Sequence, residues 1–327
     1  MPLKTMRTDS CDLCRSSNRE IVAQRGRNHC RIAVCRCCGL FFASPGLEAS
    51  ELEAFYREAF TGDAGSNIRS QTGLPATKKI RSEEKRVQRW ALPKVLQQVT
   101  PKGLRILDLR ARSGALSQAL VNLGAEVVSV DPFPANLNYA RQIRRLLHTQ
   151  LVPTTEIHLL NDFEEASFDA ITVLTIHLLS HLLSPRVFLQ NAWRVLKPGG
   201  TILLMEKDVL RPNRNPARPT PFSSGIAHQF HLTEQTLSLY LQAAGFEVRH
   251  CHLDPDLATG QNQVIYAVAK KPEQPPAAPA NLFHAAKQNI PHFLRQCHRI
   301  ESFWYWYAFR GHLRHRKNKL FRKIQSA

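Results

Sequence analysis

The chain has 327 residues, of which 43% are apolar, so it can bury the core of one large domain together with a smaller one. It has no apolar run near the roughly 18 residues that span a bilayer, and no apolar signal segment in residues 1–12, so a cytosolic protein is expected. Disulfides rarely persist in that compartment, so the eight cysteines are interpreted as thiols or metal ligands. The net charge of +18 indicates an anionic partner.

Two cysteine pairs with matched spacing stand near the N-terminus. Cys11 and Cys14 form one pair, Cys35 and Cys38 form the other, and twenty residues separate them. Each pair fits a tight turn, and two facing turns supply four thiolates in the tetrahedral geometry that suits zinc. We therefore expect a closed zinc ribbon, whose metal stabilises the fold and does no chemistry. Three neighbours lie close enough to compete for the fourth position: His29, Cys30 and Cys37.

The ribbon and the helix after it are assigned to residues 1–60, and a second segment, 61–100, follows. Residues 39–60 indicate an apolar strand, a Ser-Pro turn and an amphipathic helix, while 61–79 are polar and 80–98 are typical of a basic helix. Residues 69–105 carry ten Lys or Arg against two acids. This block indicates an anionic partner, and a solvated helix face is the alternative.

Residues 101–271 alternate apolar strands with helical stretches, which predicts a parallel α/β sheet covered on both faces. The predicted strands are RILDL, EVVSVD, TEIHLL, FDAITVL, GTILLME, FEVRHCHL and QVIYAVAK, the last two as an antiparallel pair. Residues 104–131 form the opening unit of a nucleotide-binding sheet, with strands that end at Asp108 and Asp131. Its loop carries Arg110 and Arg112 where glycines are usual, and Gly114 remains.

A Pro-rich linker, 272–280, leads to a basic helical tail, 281–327. From residue 283 onward there are ten Lys or Arg against one acid. Aromatic rings beside a basic cluster fit a helix at an anionic membrane surface, and a helix that packs on the sheet domain or a partner is the alternative. The apolar stripe at helical spacing consists of Phe293, Cys297, Ile300, Trp304, Tyr307 and Gly311.

These features together carry a resemblance to a known family. The order is CxxC, CxxCGLFFASP, ILDL, SGALSQAL, VVSVD, FDAITVLTIHLLSHLLSP, VLKPGGTILL and HQFHLTEQTLSLYLQAAGFEV. It resembles the zinc-ribbon-bearing class I S-adenosylmethionine (SAM) methyltransferases, a group similar to sugar C- and O-methyltransferases, over about residues 9–271. The resemblance implies a Rossmann-like class I methyltransferase sheet with SAM as cofactor, beside the structural Zn²⁺.

The resemblance also implies where SAM binds. Asp108 and Gly114 match the methionine side of the cofactor site, and Asp131 matches the acid that accepts hydrogen bonds from the ribose hydroxyls. Asp162 falls where the family often places a side chain near the adenine amine. Arg110 either clashes with the ligand or pairs with the cofactor carboxylate, and we take it as a cofactor-binding residue.

Methyl transfer from a sulfonium needs alignment and, for a hydroxyl or acidic carbon, a base. His181 is the natural base because the pKa of imidazole lies near neutrality, and a histidine bonded to local backbone is the alternative. His228 and His231 resemble the family's acceptor-side histidines. Ser180 stands where the family commonly has glutamate.

The expected function is therefore methylation of a sugar, as a sugar nucleotide or a lipid-linked glycan, by a cytosolic enzyme that can lie at the inner face of the membrane. An RNA-directed methyltransferase or RNA-binding protein is one alternative, because a zinc ribbon with basic blocks also suits RNA, although nucleic acid is the less favoured partner. A catalytically silent scaffold of the same fold is the other alternative.

Overall fold

The structure is a computed structural model, and it describes residues 10–24, 31–54, 77–132, 134–142, 145, 150–153, 160–174, 178–210, 228–256, 264–274 and several positions between 282 and 295. Among the described residues, no helix is both long and apolar enough to cross a bilayer. The competing ligand candidates His29 and Cys30, and the apolar stripe of the tail, lie outside the described residues.

A four-stranded antiparallel sheet holds the N-terminal segment. It contains β1 (Arg19–Gln24), β2 (Arg31–Cys35) and β3 (Phe41–Ser44), and β9 (Phe230–His231) from the second half of the chain completes it in the order β1-β2-β3-β9. Phe41 pairs with His231 and Phe42 with Phe230. The ribbon therefore shares a sheet with a segment that lies nearly 190 residues further along the chain.

The second sheet has seven strands in the order β10-β11-β8-β7-β4-β5-β6. Its central strands are parallel, while β11 is antiparallel to both of its neighbours. Successive residues of β4 and β5 face opposite apolar clusters, as expected of a sheet buried between two helical layers. The bounds are β4 (Arg105–Leu109), β5 (Glu126–Asp131), β6 (Gln150–Pro153), β7 (Phe168–Val173), β8 (Leu196–Lys207), β10 (Glu247–Leu253) and β11 (Val264–Lys270).

Helices cover both faces of this sheet. One layer begins with α1 (Thr77–Arg86), which continues through a π turn (Val87–Ala91) into α2 (Leu92–Leu96) and confirms the predicted basic helix. Residues 49–54 are also helical. The remaining helices are α3 (Ala115–Asn122), α4 (Pro134–Gln142), α5 (Leu178–His181), α6 (Pro185–Val195) and α7 (Glu234–Ala243).

Two details differ from the sequence prediction. The third strand of the parallel sheet is β6, at Gln150–Pro153, which was not predicted, and the predicted strand TEIHLL lies outside the described residues except for its last position. Strand β8 begins at Leu196, within the predicted turn, because a register shift lets Leu196 pair with Phe168 while Thr201 pairs with Ala170. Gly200 allows this close approach, since a Cβ there would lie 2.8 Å from the Lys197 carbonyl oxygen.

The ribbon and the large sheet share one hydrophobic core. Cys11, Cys35 and Cys38 belong to the same buried cluster as Leu107 and Ile171 of the central strands. Strong polar contacts cross the same boundary, since the Asp12 carboxylate accepts hydrogen bonds from both α6 and α7. Loss of the ribbon would therefore expose apolar surface of the sheet domain.

The described part of the tail packs on the body of the protein. Leu282 and Phe283 lie against the shared core, and Ile290 is 2% exposed. Leu294 packs on a smaller cluster that includes Ile32 and Phe41 of the ribbon sheet. These contacts support the interpretation of a segment that packs on its own chain, at least as far as residue 294.

Candidate functional site

A cleft opens at the carboxyl edge of the large sheet, between β4 and β7. The strand order reverses there, because β5 follows β4 on one side and β7 follows on the other, and ligands of doubly wound sheets bind at such switch points. The cleft has a volume of about 270 Å³ including its open mouth. It is lined by residues of the helix before the sheet and of the two strand ends: Glu83, Arg86, Val87, Ala91, Asp108, Arg110, Ala111, Leu116 and Leu174.

Asp108 lies in the wall of this cleft and is held by two hydroxyls. Ser117 donates to its Oδ2 at 2.6 Å and Thr172 to its Oδ1 at 2.8 Å. Burial raises the pKa of Asp108 to about 6, although both hydrogen bonds favour the carboxylate. The residue therefore ties β4 to α3 and β7 and fixes the shape of the loop above it.

Asp131 ends β5 and is nearly fully buried. Its Oδ2 accepts a hydrogen bond from the backbone N–H of Arg112 at 2.9 Å, and its Oδ1 accepts one from the Asn136 side chain at 2.9 Å. These bonds hold the carboxylate at the carboxyl end of the strand next to β4, where the acid that meets a ribose is expected in nucleotide-binding sheets.

The loop between β4 and α3 has the backbone of a glycine-rich loop. Arg110 has φ +54°, Arg112 has φ +55° and Gly114 has φ +75°, so all three adopt left-handed conformations. Such values cost a non-glycine residue about 1–2 kcal/mol each. The two arginines therefore adopt backbone conformations that glycine usually supplies.

Arg86 is a site residue that the sequence analysis did not single out. It ends α1, lines the cleft, and donates from Nη1 to the Leu174 carbonyl oxygen at 2.7 Å. Burial lowers its pKa, and the positive charge of Arg112 lowers it further. From the sequence alone, Arg86 could not be told apart from the nine other Lys or Arg residues between 69 and 105. Only the fold shows which of these side chains lines the cleft.

Two of the three predicted catalytic histidines meet. The rings of His181, at the end of α5, and His228, just before β9, have centroids 4.3 Å apart. A backbone hydrogen bond of 2.8 Å from Gln229 to the Ser180 carbonyl oxygen holds their two segments together. His231 lies in β9 and is buried in the pairing with β3.

A buried carboxylate is hydrogen-bonded to the two residues that precede His181. Glu206, at the carboxyl end of β8, is 1% exposed and accepts hydrogen bonds from the backbone N–H of Leu179 at 2.6 Å and from the Ser180 hydroxyl at 3.0 Å. Burial raises the pKa of Glu206 to about 7, while these bonds and the charge of Arg110 lower it. The sequence analysis did not identify Glu206, because a single polar residue at the end of an apolar strand gives no sign of a functional role.

Asp162 lies apart from these groups, exposed in a turn after residue 160. It does not belong to the residues that line the described cleft. Its proposed role beside an adenine amine stays a prediction.

The four cysteines of the two CxxC pairs lie together. Their sulfur atoms are all within 4.8 Å of one another, with 3.5 Å between Cys11 and Cys38 and 3.4 Å between Cys14 and Cys35. Four sulfurs bound to one Zn²⁺ at its usual bond length stand about 3.8 Å apart, so the quartet fits that ion. Cys37 is half-buried beside the quartet and outside it.

Comparison with known proteins agrees with this geometry. Residues 82–251 match the family model described as a methyltransferase domain, which is just over half of the chain. The chain belongs to this family. Its large sheet is the α/β Rossmann-like sheet of a class I SAM-dependent methyltransferase, as predicted.

Individual relatives of this methyltransferase are named for quinone biosynthesis. A demethylmenaquinone methyltransferase of Clavibacter sepedonicus is 34% identical over 173 residues, which is 46% of this chain and 69% of the relative. A ubiquinone biosynthesis O-methyltransferase of Methylocella silvestris is 36% identical over 100 residues, 30% of this chain and 38% of the relative. The chain thus spans less than half the length of the second relative.

A solved structure of a SAM-dependent methyltransferase from Aquifex aeolicus is 18% identical to the methyltransferase chain. The alignment covers 59% of this chain and 97% of that one, with a TM-score of 0.45.

The residues around the cleft fit SAM. Asp131 would accept hydrogen bonds from the ribose hydroxyls, and the Arg86 guanidinium at the cleft would pair with the amino-acid carboxylate. Gly114, with φ +75°, places no side chain in the way of a ligand where α3 begins. SAM bound there would supply the electrophilic methyl group, while the protein supplies alignment and a base.

Proposed function

We propose that this methyltransferase transfers a methyl group from SAM to a hydroxyl of a phosphate-bearing sugar, either a sugar nucleotide or a lipid-linked glycan. The observation that carries the proposal is the contact of His181 with His228 at the same sheet edge as the cofactor cleft. A base placed there can take the proton of an acceptor hydroxyl while the methyl group moves to its oxygen.

Two adjacent imidazoles suit proton removal better than one. A proton accepted by His181 places a positive charge beside His228, whose neutral ring can accept a hydrogen bond from it.

The charge of the whole chain supports an anionic acceptor, because it is +18. Guanidinium groups pair with phosphate through two parallel hydrogen bonds, which a diphosphate sugar supplies and a neutral ring lacks.

A phenol of the kind handled in quinone biosynthesis is the second candidate acceptor. The names of the relatives support it, since both act in menaquinone or ubiquinone synthesis according to those names. The acidic hydroxyl of a phenol would need less help from a base than the hydroxyl of a sugar.

The cysteine quartet is proposed to hold one structural Zn²⁺. Its four thiols fill a tetrahedral coordination shell, so no position remains for substrate. The ion would fix the two ribbon turns and, through the shared core, the wall of the domain behind the histidines. An anionic membrane surface, met through the tail, stays a proposed partner.

The test uses radiolabelled SAM, the purified full chain, a panel of sugar nucleotides and a prenylated catechol. Transfer to a sugar nucleotide supports the first candidate, and transfer to the catechol alone replaces it with the second. His181→Gln should lower kcat about hundredfold or more, a typical share for a general base, without changing SAM affinity. Unchanged kcat of this variant on the active acceptor would show that His181 is not the base.

A further inference from the structure

One hydrogen bond joins the peptide groups beside the two histidines. The backbone N–H of Gln229 belongs to the peptide that follows His228, and it donates at 2.8 Å to the Ser180 carbonyl oxygen, which belongs to the peptide before His181. The bond places the two histidine backbones side by side, and the ring centroids are 4.3 Å apart. The placement of Gln229 therefore determines how the two rings meet.

Gln229 is in turn held by the ribbon sheet at two points. Its backbone carbonyl oxygen accepts a hydrogen bond of 2.8 Å from the Ala43 amide, near the end of β3. Its side-chain Oε1 accepts another, of 2.7 Å, from the Leu47 amide. The turn formed by residues 43–47 is thus bonded to Gln229 at both of its ends.

This turn fits closely around the glutamine amide. Gln229 is 4% exposed, and a Cβ on Gly46 would lie 3.2 Å from its Oε1. Any residue can supply the backbone carbonyl of position 229, whereas the bond to Leu47 needs a side-chain acceptor. Without that acceptor the Leu47 amide would lose its partner, and a shielded donor without a partner costs free energy. The turn therefore keeps its shape because of this side chain.

We infer that Gln229 is a positioning residue that fixes the histidine pair against the ribbon. The inference rests on the proposed function for its catalytic meaning, and on the described hydrogen bonds for the placement itself. The side chain of Gln229 holds the 43–47 turn, the turn and β3 hold its backbone, and its N–H holds the peptide before His181. A base acts only within a narrow range of geometry, so loosening these bonds slows methyl transfer.

A second contact between the ribbon and the sheet domain gives a matched control. Arg186, in α6, donates from Nη1 to the Leu13 carbonyl oxygen at 3.1 Å. Like Gln229, it uses its side chain for a hydrogen bond to a backbone group of the ribbon. Its bond does not involve the residues next to either histidine.

The first measurement is proton NMR of the full chain with labelled histidine rings, in which the nuclear Overhauser effect reports the contact between the rings of His181 and His228. His181→Gln and His228→Gln assign the signals. A displacement of about 0.5 Å, the tolerance of a catalytic site, would roughly halve this effect, because it falls with the sixth power of the distance.

Three variants decide the placement. Gln229→Met keeps the length of the side chain and removes the acceptor, so it should weaken the effect by about half or more. Gln229→Glu keeps an acceptor for Leu47, and Arg186→Met leaves position 229 intact, so both should retain the effect. An unchanged effect in Gln229→Met, or an equal loss in Gln229→Glu, would overturn the inference.

The second measurement separates positioning from stability. Gln229→Met and Arg186→Met each remove one hydrogen bond between the ribbon and the sheet domain, so both should lower the unfolding temperature by about 2–4 °C. Only Gln229→Met should lower kcat on the active acceptor, by about tenfold or more, with an unchanged KM for SAM. Equal kcat values in the two variants would leave Gln229 a purely structural role and would overturn the inference.

These measurements also distinguish failure of the inference from failure of the proposed function. The ring contact is measured without SAM or an acceptor, so the NMR experiment decides the placement in any case. A protein whose ring contact depends on Gln229 but which methylates no acceptor would refute the proposed function, and with it the catalytic meaning. The placement of the two rings by Gln229 would then stand.

Discussion

At the scale of single residues, the loop between β4 and α3 carries arginine at two positions with left-handed backbone. Arg110, Arg112 and Gly114 all have positive φ values, and the Arg112 amide donates a hydrogen bond to Asp131. The loop therefore combines a backbone that glycine usually supplies with two positive charges.

Arg112→Gly should stabilise the fold. Its side chain is exposed and its φ is +55°, so glycine removes about 1–2 kcal/mol of strain, against about 0.4–1 kcal/mol of added freedom in the unfolded chain. We expect a net gain of up to about 1 kcal/mol in the free energy of unfolding, measured by urea denaturation. A loss of stability would show that the Arg112 side chain makes contacts that outweigh its strain.

The residues of the site differed in how far the sequence could reveal them. Asp108 and Asp131 were found because strand ends are visible as apolar runs followed by an acid, and His181 and His228 because a family pattern marked them. Glu206 and Arg86 were missed because their meaning depends on which strand end or helix face lies beside the cleft. That information comes from strand order, which a local pattern does not contain.

At the scale of elements, the first CxxC turn is hydrogen-bonded to two helices of the sheet domain. The Asp12 carboxylate accepts hydrogen bonds from the Ser184 hydroxyl at 2.5 Å, from the Arg186 amide at 3.1 Å and from the Tyr240 hydroxyl at 3.0 Å. Ser184 is itself the N-cap of α6. One acid between Cys11 and Cys14 thus holds two helices.

Asp12→Ala should therefore destabilise the whole protein by about 2–4 kcal/mol, because it leaves buried donors unsatisfied. Tyr240→Phe, which removes one of the three bonds, is the matched milder variant and should cost about 1–2 kcal/mol. In a double-mutant cycle the two changes should be less than additive, since they remove a shared bond. Strict additivity would show that the Asp12–Tyr240 bond contributes nothing.

Element prediction was most accurate where the periodicity was clear and weakest at irregular points. Strands β4 and β5 were predicted at their observed positions because both are short apolar runs between turns. Strand β6 was not predicted, because its sequence QLVP is short and ends in proline. Pairing of β9 with β3 could not be predicted, since no local pattern marks a two-residue strand.

At the scale of the whole molecule, the ribbon is part of the enzyme's core. The cluster that contains Cys11 and Cys38 also contains the central strands, and β9 joins the ribbon sheet to the segment that begins with His228. Loss of a metal bound by the four cysteines should therefore also disturb the segment that contains His228.

Cys38→Ser should remove bound zinc and lower the unfolding temperature of the entire chain in a single transition. The physical reason is that zinc-binding free energy is folding free energy, here shared through one core. Cys37→Ser is the matched control, because Cys37 lies next to the quartet but outside it. Metal analysis and calorimetry check both variants, and full zinc content in Cys38→Ser would contradict the assignment.

The central claim is that the β4–β7 cleft, with Asp131 beside it, binds SAM, and isothermal calorimetry of the full chain tests it most directly. We predict one SAM site in the native protein and a loss of about 2 kcal/mol or more, near thirtyfold in affinity, in Asp131→Ala, since the ribose hydroxyls lose their acceptors. The contradictory result is no SAM binding by the native protein together with its appearance in the Arg110→Gly, Arg112→Gly variant, which would make the arginines a steric block and the chain a silent scaffold.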